Sequence, residues 1–156
     1  MKFTIENEND IIPEHIEHIY IDSRINIDNI KLPPNLKIFD GCYNFNYSLD
    51  NVKFPTSLES LALGSSFNYS IDKVKLPKNL KYLSLGWTFN HFLDKVKFPN
   101  SLKTLDLGSS FNRSIDKVKF PDNLKVLALG NSFNQTIDYL PESLEELELG
   151  YSFSKP

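Results

Sequence analysis

Few residues in this 156-residue chain could do covalent or metal chemistry. Histidine occurs at His15, His18 and His91, and the single cysteine is Cys42. A thiol nucleophile needs a histidine base and an orienting acid beside it. Nothing in the sequence marks such groups near Cys42, which reads as a small core or turn residue. His15 and His18 stand three apart on what reads as one strand, so they point to opposite faces. Gly64-Ser65-Ser66 and Gly108-Ser109-Ser110 contain serines after glycine, but both recur as part of a repeat. The sequence has no H-E-x-x-H, C-x-x-C, phosphate loop or G-x-S-x-G. No enzyme, metal site or cofactor is expected.

Two charged columns remain. Asp28, Asp50, Asp72, Asp94, Asp116 and Asp138 recur in step. Stacked ~5 Å apart, neighbouring carboxylates would repel by ~0.8 kcal/mol in water. Calcium would offset this but needs six to eight oxygens, and each unit offers one carboxylate, in several units beside a lysine. Asx-type bonding to backbone N–H groups is the expected compensation. Lys31, Lys53, Lys75, Lys97 and Lys119 form a parallel ridge that reads as a solvated face. A polyanion or nucleic-acid site on that ridge is the alternative function.

Both columns exist because the whole chain repeats. Prolines at Pro33, Pro55, Pro77, Pro99 and Pro121 are twenty-two residues apart, and Pro13 and Pro141 extend the series by steps of twenty. The unit reads P-x-[NS]-L-K-x-L-x-L-G-x-S-F-N-x-S-I-D-K-V-K-[LF]. Such a period predicts a solenoid, in which no unit buries its apolar face alone. Leu80, Leu83 and Leu85 form L-x-x-L-x-L, and the period-two alternation at its end predicts a short half-buried strand. No unit holds enough 3.6-residue periodicity for a regular helix. The expected architecture is a β-rich, leucine-rich-repeat-like solenoid. It has one short parallel strand per unit in a curved sheet, mostly irregular or extended return arms, and little helix.

Gly64, Gly86, Gly108, Gly130 and Gly150 end the strands; Cys42 and Asp22 stand at that place in earlier units, so a positive φ is not obligatory there. Phe45, Phe67, Phe89, Phe111, Phe133 and Phe153 should stack as a spine. Asn46, Asn68, Asn90, Asn112 and Asn134 follow them, and should satisfy backbone groups of neighbouring turns as a structural ladder.

With L-x-x-L-x-L, the added G-x-x-F-N and the downstream I-x-x-x-x-[IFL]-P resemble the FNIP repeat, a leucine-rich-like unit abundant in social amoebae and giant DNA viruses. The resemblance spans roughly residues 13–156. It departs where Ser48, Ser70, Phe92, Ser114 and Thr136 replace a frequent proline, and where Val52, Val74, Val96 and Val118 replace a frequent glycine. The valines suggest a more strand-like return arm, with Val74 and Leu76 able to point inward. The resemblance also implies a link to F-box proteins and hence to substrate capture for ubiquitination, or a scaffold that engages host proteins. No helical F-box segment is evident before Pro13.

Length and composition bound the rest. A chain that is 40% hydrophobic and 13% aromatic supports one core. The expected domain is 1–156, with an N-terminal cap over 1–12, a degenerate capping repeat over 13–32, five repeats over 33–140 and a partial capping repeat over 141–156. Phe3 and Ile5 could form a strand closing the first unit. No leader or membrane span is evident, and one cysteine suits a reducing compartment. A cytoplasmic location is expected (host cytoplasm if viral), with a monomeric state. The net charge of −3 divides into an acidic 1–30, an acidic 138–156 and a basic middle.

Between the leucines, side chains vary from unit to unit while scaffold positions do not. The first varied column is His18, Ile38, Ser60, Tyr82, Thr104, Val126 and Glu146. The second is Tyr20, Asp40, Ala62, Ser84, Asp106, Ala128 and Glu148. Varied side chains on a regular concave frame are what a recognition surface requires. Tyr82, Ser84, Trp87, His91, Thr104, Asp106 and Val126 are therefore the candidate contacts for a protein partner. Trp87 is either an exposed anchor or fills a gap beside Phe92.

Overall fold

The computed structural model describes residues 1–21 and 25–155; Asp22 lies outside them. Eight strands run through the chain: β1 (Lys2–Ile5), β2 (His18–Ile21), β3 (Ile38–Gly41), β4 (Ser60–Ala62), β5 (Tyr82–Ser84), β6 (Thr104–Asp106), β7 (Val126–Ala128) and β8 (Glu146–Glu148). They form one parallel sheet in sequence order. No helix occurs among the described residues. The chain is a parallel β-solenoid of the leucine-rich type.

The register places equivalent residues side by side: Leu61 beside Leu83, Leu83 beside Leu105 and Leu105 beside Leu127. Inward leucines of successive units thus stack, and Leu80, Leu83, Leu85 and their counterparts in the next two units, Leu102, Leu105, Leu107 and Leu124, Leu127, Leu129, are fully buried. Before each regular strand the chain turns: the Leu80 N–H donates to the Pro77 carbonyl at 3.1 Å, and Leu58, Leu102 and Leu124 repeat the bond. Proline stands at the first turn position, where its carbonyl accepts and its missing N–H is not called on.

The return arm differs from the strand-like expectation. The Val74 N–H donates to the Ile71 carbonyl at 3.1 Å, and Val52, Val96 and Val118 do likewise with their own units. Each arm is therefore turned. Val74 is still buried, and Leu76 is half-buried against the core. The side chains point as expected because an apolar residue can close a turn inward as well as alternate along a strand.

Phe45, Phe67, Phe89, Phe111, Phe133 and Phe153 stack in near-parallel pairs, with centroids 6.1–6.3 Å apart and interplanar angles of 3–10°. That separation makes them offset, the arrangement ring quadrupoles prefer. Beside them runs a directional ladder. The Asn68 N–H donates to Asn46 Oδ1, Asn90 to Asn68, Asn112 to Asn90 and Asn134 to Asn112, all at 2.9–3.1 Å. The Ser154 N–H ends it on Asn134 Oδ1. In the shortened first unit, Asn26 Oδ1 instead accepts from the Asp28 N–H.

The [NS] position carries a second ladder. Asn35, Asn79 and Asn123 donate to the carbonyls of Glu14, Thr56 and Asn100. Ser57 Oγ lies 2.7 Å from the carbonyl oxygens of both Pro34 and Leu36, and Ser101 repeats this geometry on Lys78 and Leu80.

The aspartate column does not work as expected. The side chains of Ser48, Ser70 and Ser114 accept the N–H groups of Asp50, Asp72 and Asp116. Capping thus comes from the serine two residues earlier. One carboxylate oxygen each of Asp28 and Asp72 is shielded without a partner.

Glycine is required where turns touch. At Gly108, φ is +81° and a Cβ would overlap the carbonyl of Gly86. Cys42 is buried at the equivalent place, and no non-glycine residue has positive φ among the described residues.

The two ends differ. β1 pairs with β2, and its Ile5 is fully buried. At the other end, Leu149 is 38% exposed whereas its counterpart Leu129 is fully buried. Glu146 and Glu148 flank Leu147 along that last strand, and charges there oppose pairing with a further strand.

Replacing Asn90 by alanine leaves the Asn112 N–H without its acceptor. We expect a loss of about 1–2 kcal/mol in urea unfolding and faster hydrogen exchange at the Asn112 amide. Asn90→Asp keeps an acceptor oxygen and should lose less. Equal losses for the two variants would mean that the ladder bond does not carry the effect.

Candidate functional site

The varied side chains are held by the strand register. Tyr82, Thr104 and Val126 are paired neighbours in one column, and Ser84 and Asp106 are neighbours in the next. Leu83, Leu105 and Leu127 between them are fully buried, so alternation turns the flanking residues outward. These five candidates form one contiguous patch.

Polar bonds order the second column. Ser84 Oγ donates to Asp106 Oδ2 at 2.9 Å, and Asp106 Oδ1 accepts the Gly108 N–H at 2.9 Å. Asp106 therefore fixes the turn as well as facing solvent. Toward the N-terminus, His18 Nε2 lies 2.6 Å from Asp40 Oδ2, and Lys2 Nζ stands 4.4 Å from the centre of the Tyr20 ring. His15 is in the turn before β2 and not on the strand, so the two histidines do not share an element.

A groove of about 430 Å³ follows the second column to the glycine turns, lined among others by Ser84, Trp87, Asp106, Ser109, Asn131 and Glu148. Trp87 is 61% exposed. It stands in the turn beyond β5, at the rim of the patch. Phe92 does not share a filled gap with it. Phe92 is itself 55% exposed, and the Arg113 guanidinium lies 5.1 Å from its ring centre. That pairing was not evident from sequence, although both residues break the repeat in adjacent units.

His91 is separate from the sheet face. Its Nε2 lies 2.8 Å from the Asn68 carbonyl, and its ring is 5.7 Å from that of Phe89. Tyr47 and Tyr69 hold the same relation to Phe45 and Phe67. His91 thus covers the spine at a corner.

Burial raises the Tyr82 phenol above its ordinary value, and the Asp106 charge raises it further. No group of three or more His, Cys, Asp or Glu side chains among the described residues could hold a metal ion. No helix among them is long and apolar enough to cross a membrane.

The FNIP Repeat family model matches residues 45–78, 67–110 and 111–152. The chain belongs to the FNIP-repeat family. Its fold is also similar to a solved structure described as CroV588, a novel circular LRR protein, from a giant virus. The TM-score is 0.86 at 31% identity, covering 97% of this chain and 24% of that one. This FNIP-repeat chain thus spans about a quarter of that protein's length. No curated protein matches it. Repeat solenoids of this leucine-rich type are generally protein-interaction scaffolds and typically not enzymes.

Tyr82 gives a titration test. An unfolded tyrosine ionises near its ordinary value, before the folded one does. The phenol's contribution to stability is therefore complete below about pH 10 and falls as pH rises through the folded pKa. Asp106→Asn should move the Tyr82 midpoint down in a site-labelled NMR titration. An unchanged midpoint would show that the Asp106 charge does not reach the phenol.

Proposed function

We propose that this chain is a non-enzymatic recognition module that binds a protein partner through the outward sheet face of its middle units. The observation that carries this reading is the contrast within the sheet. Residues beneath the face are near-identical leucines, whereas Ser60, Tyr82, Thr104 and Val126 above them differ at every step. A rigid frame presenting varied side chains binds with little ordering cost. Trp87 at the groove rim supplies the exposed aromatic that interfaces favour as an anchor. His91 is left out of the contact set because it covers the spine at a corner, away from the sheet face.

The finer form of this reading is capture of a protein for ubiquitination, or a scaffold that engages host proteins, in a cytoplasmic setting. Its support is the family resemblance to repeats that accompany F-box segments.

The test is a quantitative pull-down from amoebal lysate. The wild-type chain is compared with a Tyr82→Ala, Trp87→Ala, Asp106→Ala variant after circular dichroism shows that both fold alike. A protein retained by the wild type should fall at least tenfold with the variant, and ubiquitin-ligase subunits among the losses would support the finer form. Equal recovery on both baits would remove the sheet face as the site.

A further inference from the structure

Nearly every near-invariant column of this solenoid has a structural cause. The leucines and phenylalanines are buried. The asparagines bond along their ladder, the [NS] side chains bond to carbonyls of the preceding unit, and the glycines stand where turns touch. The aspartates aside, whose backbone N–H groups are capped by serines, one column lacks such a cause. Lys31, Lys53, Lys75, Lys97 and Lys119 are all exposed, and none makes an ion pair or side-chain hydrogen bond among the described residues.

The other lysine column behaves differently. Before the strands, the sequence Glu17, Lys37, Glu59, Lys81, Lys103, Lys125, Glu145 mixes signs. Three of its lysines pair with glutamates at 2.7–2.8 Å. Mixed sign is what stacking at strand spacing, ~4.8 Å, would favour without a ligand. The ridge instead keeps one sign through five units. A second file, Lys73, Lys95 and Lys117, accompanies it, and the buried Val74, Val96 and Val118 between them leave both files in solvent. Asp50, Asp72, Asp94 and Asp116 flank the files, and Asp72 has one carboxylate oxygen shielded within its turn.

We infer that the paired lysine files bind a linear polyanion of closely spaced phosphates, specifically an inorganic polyphosphate chain. A file of point charges on flexible stems matches a chain of phosphates that carries no further feature to be read. The aromatics next to the ridge, Phe54, Phe98 and Phe120, are half-buried against the core. Phe92, which shares a cavity with Lys95 and Lys117, is exposed, but the Arg113 guanidinium lies over its ring. These aromatics thus present no row of bare rings of the kind that binds single-stranded bases. This site lies on the return arms, apart from the proposed protein-binding face, and stands or falls independently of it.

The probe is medium-chain sodium polyphosphate, measured by titration calorimetry across a salt series. Lys53→Gln, Lys75→Gln, Lys97→Gln is compared with Lys37→Gln, Lys81→Gln, Lys125→Gln, which removes the same charge from the other column. Circular dichroism checks the fold of both. The ridge variant should weaken binding at least tenfold and reduce the slope of log affinity against log salt by about two. The control variant should bind within about twofold of wild type, since its lysines are engaged with glutamates. Equal weakening by both variants, or no binding by wild type at low salt, would overturn the inference. So would tighter binding of a single-stranded oligonucleotide of matched charge.

Discussion

Everything in this molecule depends on a constraint that no single unit can meet: its backbone polar groups must find partners in the neighbouring turn. Each strand has only three or four residues, and the corners between strands add few backbone bonds between turns, such as Ser110 N–H to the Trp87 carbonyl. Side chains complete the account. The Asn68–Asn90–Asn112 ladder receives N–H groups at one corner, and the alternating Asn79 and Ser101 reach carbonyls at another. A buried peptide group left unpaired costs about as much as a hydrogen bond is worth. A column of amides or hydroxyls is therefore as much a part of the fold as the apolar core.

The phenylalanine spine answers the same constraint in apolar terms. Offset stacking at a near-constant 6.1–6.3 Å needs each ring to repeat its neighbour's rotamer, and the backbone bonds that hold the turns in step allow this. Packing and hydrogen bonding thus share one period. Where the period falters, packing changes form. Phe39, which stands where later units have leucine, meets Phe54 and Phe45 edge-on.

Much of the fold was legible because period-two leucines and a twenty-two-residue proline step leave few alternatives. The strand, its register and the N-terminal β1 follow from pattern. Three things did not. The return arm reads as extended because valine favours strands, yet Val74 closes a turn. The aspartates read as caps, but the capping atom belongs to Ser70, since either of two neighbouring polar side chains could supply it. His91 reads as a varied surface residue, and only the folded structure shows its nitrogen on the Asn68 carbonyl. For the candidate site, alternation reveals which side chains face out. It does not reveal that Asp106 is bonded to Ser84 and Gly108, or that Arg113 covers Phe92, because those contacts join neighbouring units side chain by side chain.

The ladder bonds link residues twenty-two apart, and this bears on how such a chain can change over time. Excising one whole unit from the middle brings Asn112 into step with Asn68. Every donor then meets an equivalent acceptor, and each ring meets an equivalent ring. The alternation of Asn79 and Ser101 is no obstacle, because both side chains donate to backbone carbonyls. Gain or loss of units by misaligned recombination would therefore lengthen or shorten the molecule without a new fold to invent. The outward columns would be reshuffled in the same event, so the architecture separates the inheritance of shape from the inheritance of surface.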